Sequence, residues 1–210
     1  MQRQLEGTVE ADELYHTAGQ KGQAKHGGKK HLGRQPRRRR KKREPGRGHY
    51  DNDRPAMIAW VSRRGAVVVQ AVRDFTVKTV QQAADLAVHA GSRLYTDSAS
   101  SYRAVQGYVH EFVNHTQQEY ARGDVHENRA ECLFSLLKPY LRVFRGLSKC
   151  NLPGSLGFFQ FLRNVRHRNA LEQAELILQA ALDPTIASRA RRGELVRCFD
   201  HFDLLQTAIN

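Results

Sequence analysis

The stretch from Pro55 to Val72 constrains the fold most. PAMIAWV and AVVVQAV are two nearly uninterrupted apolar runs rich in β-branched residues, separated by Ser62-Arg63-Arg64-Gly65. Runs of this length and composition read as a β-hairpin. Because neither run alternates apolar with polar, both faces of these strands need cover, so helices are expected on either side of the sheet. Trp60, flanked by Ile58 and Val61, is expected in the core, with base stacking as the alternative.

The rest of the chain supplies those elements in order. LEGTVEADELY, residues 5–15, reads as a strand with Val9, Ala11, Glu13 and Tyr15 on one face and Glu10, Asp12 and Leu14 on the other. Three acids within four residues are unusual in a strand. They fit either an exposed edge, which acids protect from aggregation, or a central strand that presents a metal ligand. A helix is expected over 76–90, capped by Thr76 or Thr79, with Val80, Ala84, Ala87 and Val88 at helical spacing and Gly91 as its stop. SRLYTD follows as a strand with Asp97 at its C-terminal end, where ligands collect in α/β sheets. Asp97 is read equally well as the cap of a short helix over 98–102. HEFVNH, His110 to His115, gives a further short strand. His115 and His126 lie at either end of the loop that follows, and both are read as structural rather than as ligands.

HENRAECLFSLLK, His126 to Lys138, reads as a helix on which Asn128, Glu131, Ser135 and Lys138 form one polar stripe. Leu133, Leu136, Leu137 and Tyr140 are expected on the opposite, core-facing side. The plain reading of the stripe is a solvated face. Downstream, a turn is expected at Pro153-Gly154, then a helix with an apolar stripe through Phe158, Phe159, Phe161, Leu162 and Val165. Arg163, Arg166 and Arg168 make its mixed face, and a short helical tail follows over 184–210. The element order is that of a ribonuclease H-like mixed sheet.

The formal charge of +13 is concentrated. Residues 21–48 hold thirteen Lys or Arg against one acid, Glu44, and the remainder is close to neutral. The block Arg37, Arg38, Arg39, Arg40, Lys41, Lys42 and Arg43 sits in a Gly- and Pro-containing stretch, 16–54, without periodicity. A mobile basic loop that contacts DNA or RNA backbone is expected there, with a solvated loop as the alternative. No apolar run is long enough to cross a bilayer, which needs about 20 residues. Cys132, Cys150 and Cys198 show no zinc spacing, so neither structural zinc nor a disulfide is expected, and a cytoplasmic, nucleoid-associated location follows.

Two aspartates on strands and a glutamate on a later helix are the parts from which a two-metal phosphodiester centre is built. Hard cations want carboxylate oxygens, and Mg²⁺ keeps several waters. In such a centre Asp12 would bridge two Mg²⁺ or Mn²⁺ ions, Asp97 would hold one and Glu131 the other. Asn128 would orient a water or stand in as an oxygen ligand, and Lys138 would reach a DNA phosphate.

VEADE at 9–13, TDSASSY at 96–102, VNH at 113–115, EY at 119–120, HENRAECLFSLLK and FLRNVRHRN together resemble the DDE-type transposases of bacterial insertion sequences. The likeness spans about residues 8–170, with 33 residues between Asp97 and Glu131 and Lys138 seven after Glu131. It implies an α/β, ribonuclease H-like (retroviral-integrase-like) mixed sheet flanked by helices. Residues 5–170 would form the catalytic domain, with basic loop 16–54, and 171–210 a helical extension. It implies cleavage and strand transfer at transposon ends, DNA as partner and a homo-oligomer. Asp12 and Asp97 match the family's aspartates, Glu131 its acid and Lys138 its trailing lysine. Some relatives carry Asn as the third ligand, so Asn128 shares that role. Ser98 stands where an acid is common. Complete relatives carry an N-terminal zinc ribbon that this chain is expected to lack. A non-catalytic or truncated DNA-binding remnant and another ribonuclease H-like nuclease are the alternatives.

Overall fold

The computed structural model describes residues 4–19, 48–113 and 121–182. Its centre is a five-stranded sheet. The strands are β1 (Thr8–Tyr15), β3 (Ala56–Ser62), β4 (Val67–Val72), β5 (Arg93–Asp97) and β6 (Val109–Val113), in the order β4-β3-β1-β5-β6. β1 runs antiparallel to β3 and parallel to β5, β3 and β4 form the hairpin, and β5 and β6 are parallel. A two-stranded parallel pair, β2 (Ala18–Gly19) with β7 (Leu147–Ser148), lies beside it. The helices are α1 (Val77–Ala87), α2 (Ser100–Arg103), α3 (Asn128–Val143), α4 (Leu152–Val165) and α5 (Ala170–Leu182). This mixed sheet flanked by helices is compatible with the expected ribonuclease H-like arrangement.

β1 is central, so the edge-strand explanation of its acids fails. Its side chains alternate as the sequence implied. Val9 and Ala11 join a core with Ile58, Trp60, α1 and Tyr102. On the other face Leu14 packs against a second core built from Met57, Ala59, Val69 and the apolar sides of α3 and α4. Every residue of β3 and β4 is buried, as their unbroken apolar runs require. Trp60 is core: its Nε1–H donates to Gln70 Oε1 at 2.8 Å.

β4 is an edge strand of the sheet, and α4 covers its backbone. Val69 N–H donates to Gln160 Oε1 (2.9 Å), while Asn164 both accepts from Val67 N–H (2.8 Å) and donates to Val67 O (2.9 Å). An exposed row of strand amides invites pairing with another chain, and two amide side chains occupy this one.

Several expectations need correction. Pro153 and Gly154 make no turn. They lie in the first turn of α4, where proline's missing N–H costs no hydrogen bond. The buried stripe of α4 is Leu152, Leu156 and Phe159, and Phe158 points outward, 47% exposed. On α3 the buried residues are Ala130, Leu133, Phe134, Leu137 and Leu141, and Leu136 is exposed. The stripe is rotated toward Phe134 because the helix runs on through Pro139 to Val143 and Leu141 sets its phase. Arg166 is not simply a solvated cation, since its guanidinium donates to Gly65 O at 3.1 Å.

The ends of the 16–54 stretch are also more ordered than its composition implied. Ala18 and Gly19 pair with β7, Ala18 N–H donates to Asp53 O, and Tyr50–Asn52 form a 3₁₀ turn. Buried Lys149 holds that turn. Its Nζ lies 3.4 Å from Asp53 Oδ1, donates to Tyr50 O at 3.0 Å and sits 4.1 Å from the Tyr50 ring centroid. Gly48 is required here, because a Cβ would lie 2.4 Å from Arg54 O. The Arg37–Arg43 block, His115, Glu119-Tyr120 and the 184–210 tail lie outside the described residues. Against expectation Cys150 is disulfide-bonded, with its partner outside the described residues. Sequence spacing carries no information on which thiols meet in space. Cys132 is free and exposed. Among the described residues no helix is long and apolar enough to cross a membrane.

Candidate active site

The parallel register of β1 and β5 pairs Val9 with Leu94 and Glu10 with Tyr95. Asp12 and Asp97 each stand two residues further along. The pairing itself ends at Glu10 and Tyr95, and by strand parity Asp12 and Asp97 fall on the same face as those two residues. Both are half-buried. Asp12 Oδ1 accepts from Glu13 N–H at 2.7 Å. Asp97 Oδ1 accepts from Ala99 N–H at 3.0 Å. The N-cap of α2 is Ala99, without a side-chain capping bond, so the capping reading of Asp97 fails; its bond to Ala99 N–H instead closes the turn before the helix and fixes the carboxylate where the strand ends.

α3 starts over the same face. Its start is set by Glu10, which is fully buried in the middle of the sheet. Glu10 Oε2 accepts from Arg129 N–H at 2.8 Å, and Oε1 takes Arg63 Nε at 3.0 Å. His126 Nδ1 lies 3.5 Å from the same Oε1, and Arg63 Nη2 lies 3.1 Å from His126 Nε2. Since arginine can only donate, Nε2 accepts and Nδ1 carries the N–H that faces Glu10. Arg63 also lies over the Tyr95 ring at 5.0 Å and donates to Asp124 O. Glu127, at the N-cap, makes no side-chain capping bond. A carboxylate from a distant strand therefore does the work of an N-cap: it satisfies an open N–H and places negative charge at the positive end of the helix dipole. Sequence reading saw Glu10 only as a strand acid. The available signal was its parity with Asp12, which places both on the face that α3 covers.

Asn128 and Glu131 lie in the first turns of α3, and both are exposed, as are Ser135 and Lys138. The expected polar stripe is therefore present as one exposed face. Ser135 Oγ donates to Cys132 O at 2.7 Å, a bond internal to the helix. Among the described residues no three His, Cys, Asp or Glu side chains gather closely enough to hold a metal ion. Asp12 and Asp97 lie on neighbouring strands, and Glu131 does not complete a ligand set with them. The acid at this end of α3 that is buried is Glu127, 2% exposed. Tyr102, also buried, has its hydroxyl held well above the usual tyrosine range, first by burial and then by Glu13, Asp12, Asp97 and Glu127. Glu13, Tyr102 and Glu127 went unassigned in the sequence.

Residues 4–164 match the family model of the ISXO2-like transposase domain. The chain belongs to this family. It is also similar to an uncharacterized protein in the transposable element ISH50 of Halobacterium salinarum, with 32% identity over 188 residues covering 85% of this chain. The chain spans about three-fifths of that relative's length, 59%. No solved structure matches it.

The donor chemistry of this transposase domain suits a hard divalent cation. Asp12 and Asp97 are carboxylates on neighbouring strands, and Mg²⁺ commonly binds through one or two carboxylates while waters and substrate phosphates fill its other positions. His110, on neighbouring β6, lies with its Nε2 2.8 Å from Thr96 Oγ1. Its pKa is lowered, by burial first and against the pull of Asp97, and that of His16 is lowered by burial. A histidine with a lowered folded-state pKa binds more protons when unfolded. Its contribution is present above the unfolded value of about 6.5 and is lost as pH falls below it. The expected result is a lower melting temperature at pH 5.5 than at pH 7.5, with a flatter dependence in His110→Gln.

Proposed function

We propose that residues 5–170 form a ribonuclease H-like catalytic domain that cuts DNA at the ends of an insertion sequence and joins those ends to a target. Helix α5 (Ala170–Leu182) begins an extension that continues outside the described residues. The observation that carries this reading is the parallel register of β1 and β5, in which Asp12 and Asp97 each stand two residues beyond the paired Glu10 and Tyr95. Asp12 and Asp97 would hold Mg²⁺ or Mn²⁺, and Glu131 or Asn128 from the start of α3 would supply a further oxygen. Such ions, when bound, activate the attacking hydroxyl and stabilise the leaving oxygen of an in-line displacement.

The chain's own residues do the rest. Glu13 N–H and Ala99 N–H each hold one oxygen of the aspartate pair. Glu10 sets where α3 begins, and with it the position of Asn128 and Glu131. Lys138, exposed two turns beyond Glu131, contacts a DNA phosphate as a point charge. Arg37 to Arg43 track the DNA backbone without reading sequence, so binding falls steeply with salt. The working unit is a homo-oligomer with both transposon ends in place.

A second reading, a DNA-binding remnant without catalysis, draws on one observation: Glu131 is exposed and forms no three-acid group with the aspartates. A thermal melt with Mn²⁺ titrated in separates the two. Mn²⁺ at a hundredfold excess over its dissociation constant is expected to stabilise the chain by about 2.7 kcal/mol, and Asp97→Ala is expected to lose that response. A wild-type chain that ignores Mn²⁺ both alone and with a DNA duplex favours the remnant.

A further inference from the structure

Tyr102 has no part in the chemistry above, yet its hydroxyl is poorly served where it stands. The side chain is fully buried. Its ring meets Trp60 and Phe75 edge-on, with centroids 6.4 and 5.1 Å away. These contacts fix the ring by its sides and leave the tip to find its own partner. The hydroxyl has none among the described residues. A buried O–H without an acceptor is unfavourable and uncommon, and calls for an explanation.

Strand parity and chain order identify its neighbours. Val9 and Ala11 lie in the same core as Tyr102, and Glu13, two residues beyond Ala11, shares their face of β1. Asp97 stands at the end of β5, anchored in the turn that leads into the helix bearing Tyr102. Burial, then the charges of Glu13, Asp12, Asp97 and Glu127, keep the phenol protonated. It is thus a neutral donor on the same face of β1 as Glu13, bonded to none of these carboxylates. Glu13 links the two faces of β1: its side chain lies on the Tyr102 side, and its N–H donates to Asp12 Oδ1 on the other.

We propose that Tyr102 is a positioning residue of the acidic centre. Its hydroxyl would donate to Glu13 when Asp12 and Asp97 hold a divalent cation, and this would hold the Glu13 N–H that orients Asp12. The proposal rests on the reading of Asp12 and Asp97 as cation ligands. Tyr102 touches neither cation nor DNA. It acts through Glu13 and adds no charge to the centre.

The test counts free Mn²⁺ by its electron paramagnetic resonance signal, using the whole chain mixed with a short DNA duplex. Melting curves without metal are recorded alongside. Tyr102→Phe keeps both ring contacts and removes only the donor. It is expected to melt without metal at or above the wild-type temperature, because an unbonded hydroxyl contributes nothing to that state. It is expected to bind Mn²⁺ roughly tenfold more weakly, the scale of one hydrogen bond to a charged group. Glu13→Gln is expected to weaken binding similarly. The double variant should be no worse than the weaker-binding single variant, since the two residues act in one chain of contacts. If Tyr102→Phe does not fold, Glu13→Gln carries the test alone, and unchanged Mn²⁺ affinity in it overturns the proposal. A Tyr102→Phe variant with wild-type affinity overturns it, as does one that melts well below wild type without metal, which would mark a packing role. If the wild type binds and Tyr102→Phe binds equally, only Tyr102 is wrongly assigned. If the wild type binds no Mn²⁺, the aspartate reading fails and this proposal with it.

Discussion

Asp97→Asn is expected to abolish metal-dependent DNA cleavage while leaving the fold intact. Asparagine retains an oxygen for the Ala99 N–H, so the turn between β5 and α2 survives. What it removes is the negative charge beside Asp12. The loss of a preorganised charge at a reacting centre costs about 10²–10³-fold when a single hydrogen-bond donor goes, and a carboxylate that carries the cation should cost about 10³-fold or more. The measurement is nicking and joining of a DNA duplex that carries the element's ends, in Mg²⁺ and in Mn²⁺. Asp12→Asn should behave alike. Equal activity in wild type and Asp97→Asn would refute the assignment of this centre. The same assay settles the third oxygen. A collapse in Glu131→Gln with activity kept in Asn128→Ala assigns it to Glu131, and the reverse assigns it to Asn128.

How far the sequence carried differs by element, for physical reasons. The β3–β4 hairpin was legible because its runs are apolar on both faces, and only a strand covered on both sides accommodates that. The facing of β1 was legible because a period of two leaves little freedom once Val9 and Ala11 are assigned to the core. That Asp12 and Asp97 form one centre is read first from two strand aspartates followed by a helix glutamate, and then from resemblance. Their alignment depends on the β1–β5 register, a contact between distant segments that no local period encodes. The phase of α3 was missed by one position, at Leu136 against Phe134, because Leu, Phe and Tyr lie close together around that helix and any of them suits a core. Pro153-Gly154 misled because proline marks both turns and first helical turns. Glu10 was the largest omission. In a strand crowded with acids, its distinction from Glu13 is visible only once Arg63, His126 and the N-terminus of α3 are placed around it.

Glu10→Ala should therefore produce the largest loss of stability of any substitution considered. Glu10 is completely buried, and three partners depend on it: the Arg63 guanidinium, the Arg129 N–H and the His126 ring. Breaking a buried pair by removing one partner costs about 3–5 kcal/mol, because the charge left behind is uncompensated. The Arg63 side chain is 25% exposed and recovers part of its hydration, which places the expected cost near the lower end, about 3 kcal/mol. For a chain of this size that corresponds to a fall in melting temperature of roughly 6–12 °C. Glu10→Gln keeps an acceptor for the Arg129 N–H and loses only the charge, so it should fall between wild type and alanine. Urea denaturation measures both. The functional consequence follows from the geometry. α3 loses the anchor that fixes its first turn against β1, so Asn128 and Glu131 lose their register with Asp12. DNA cleavage by Glu10→Gln should then fall at temperatures where the chain is still folded. A variant that cuts at the wild-type rate below its melting point would show that α3 is positioned by its apolar face alone.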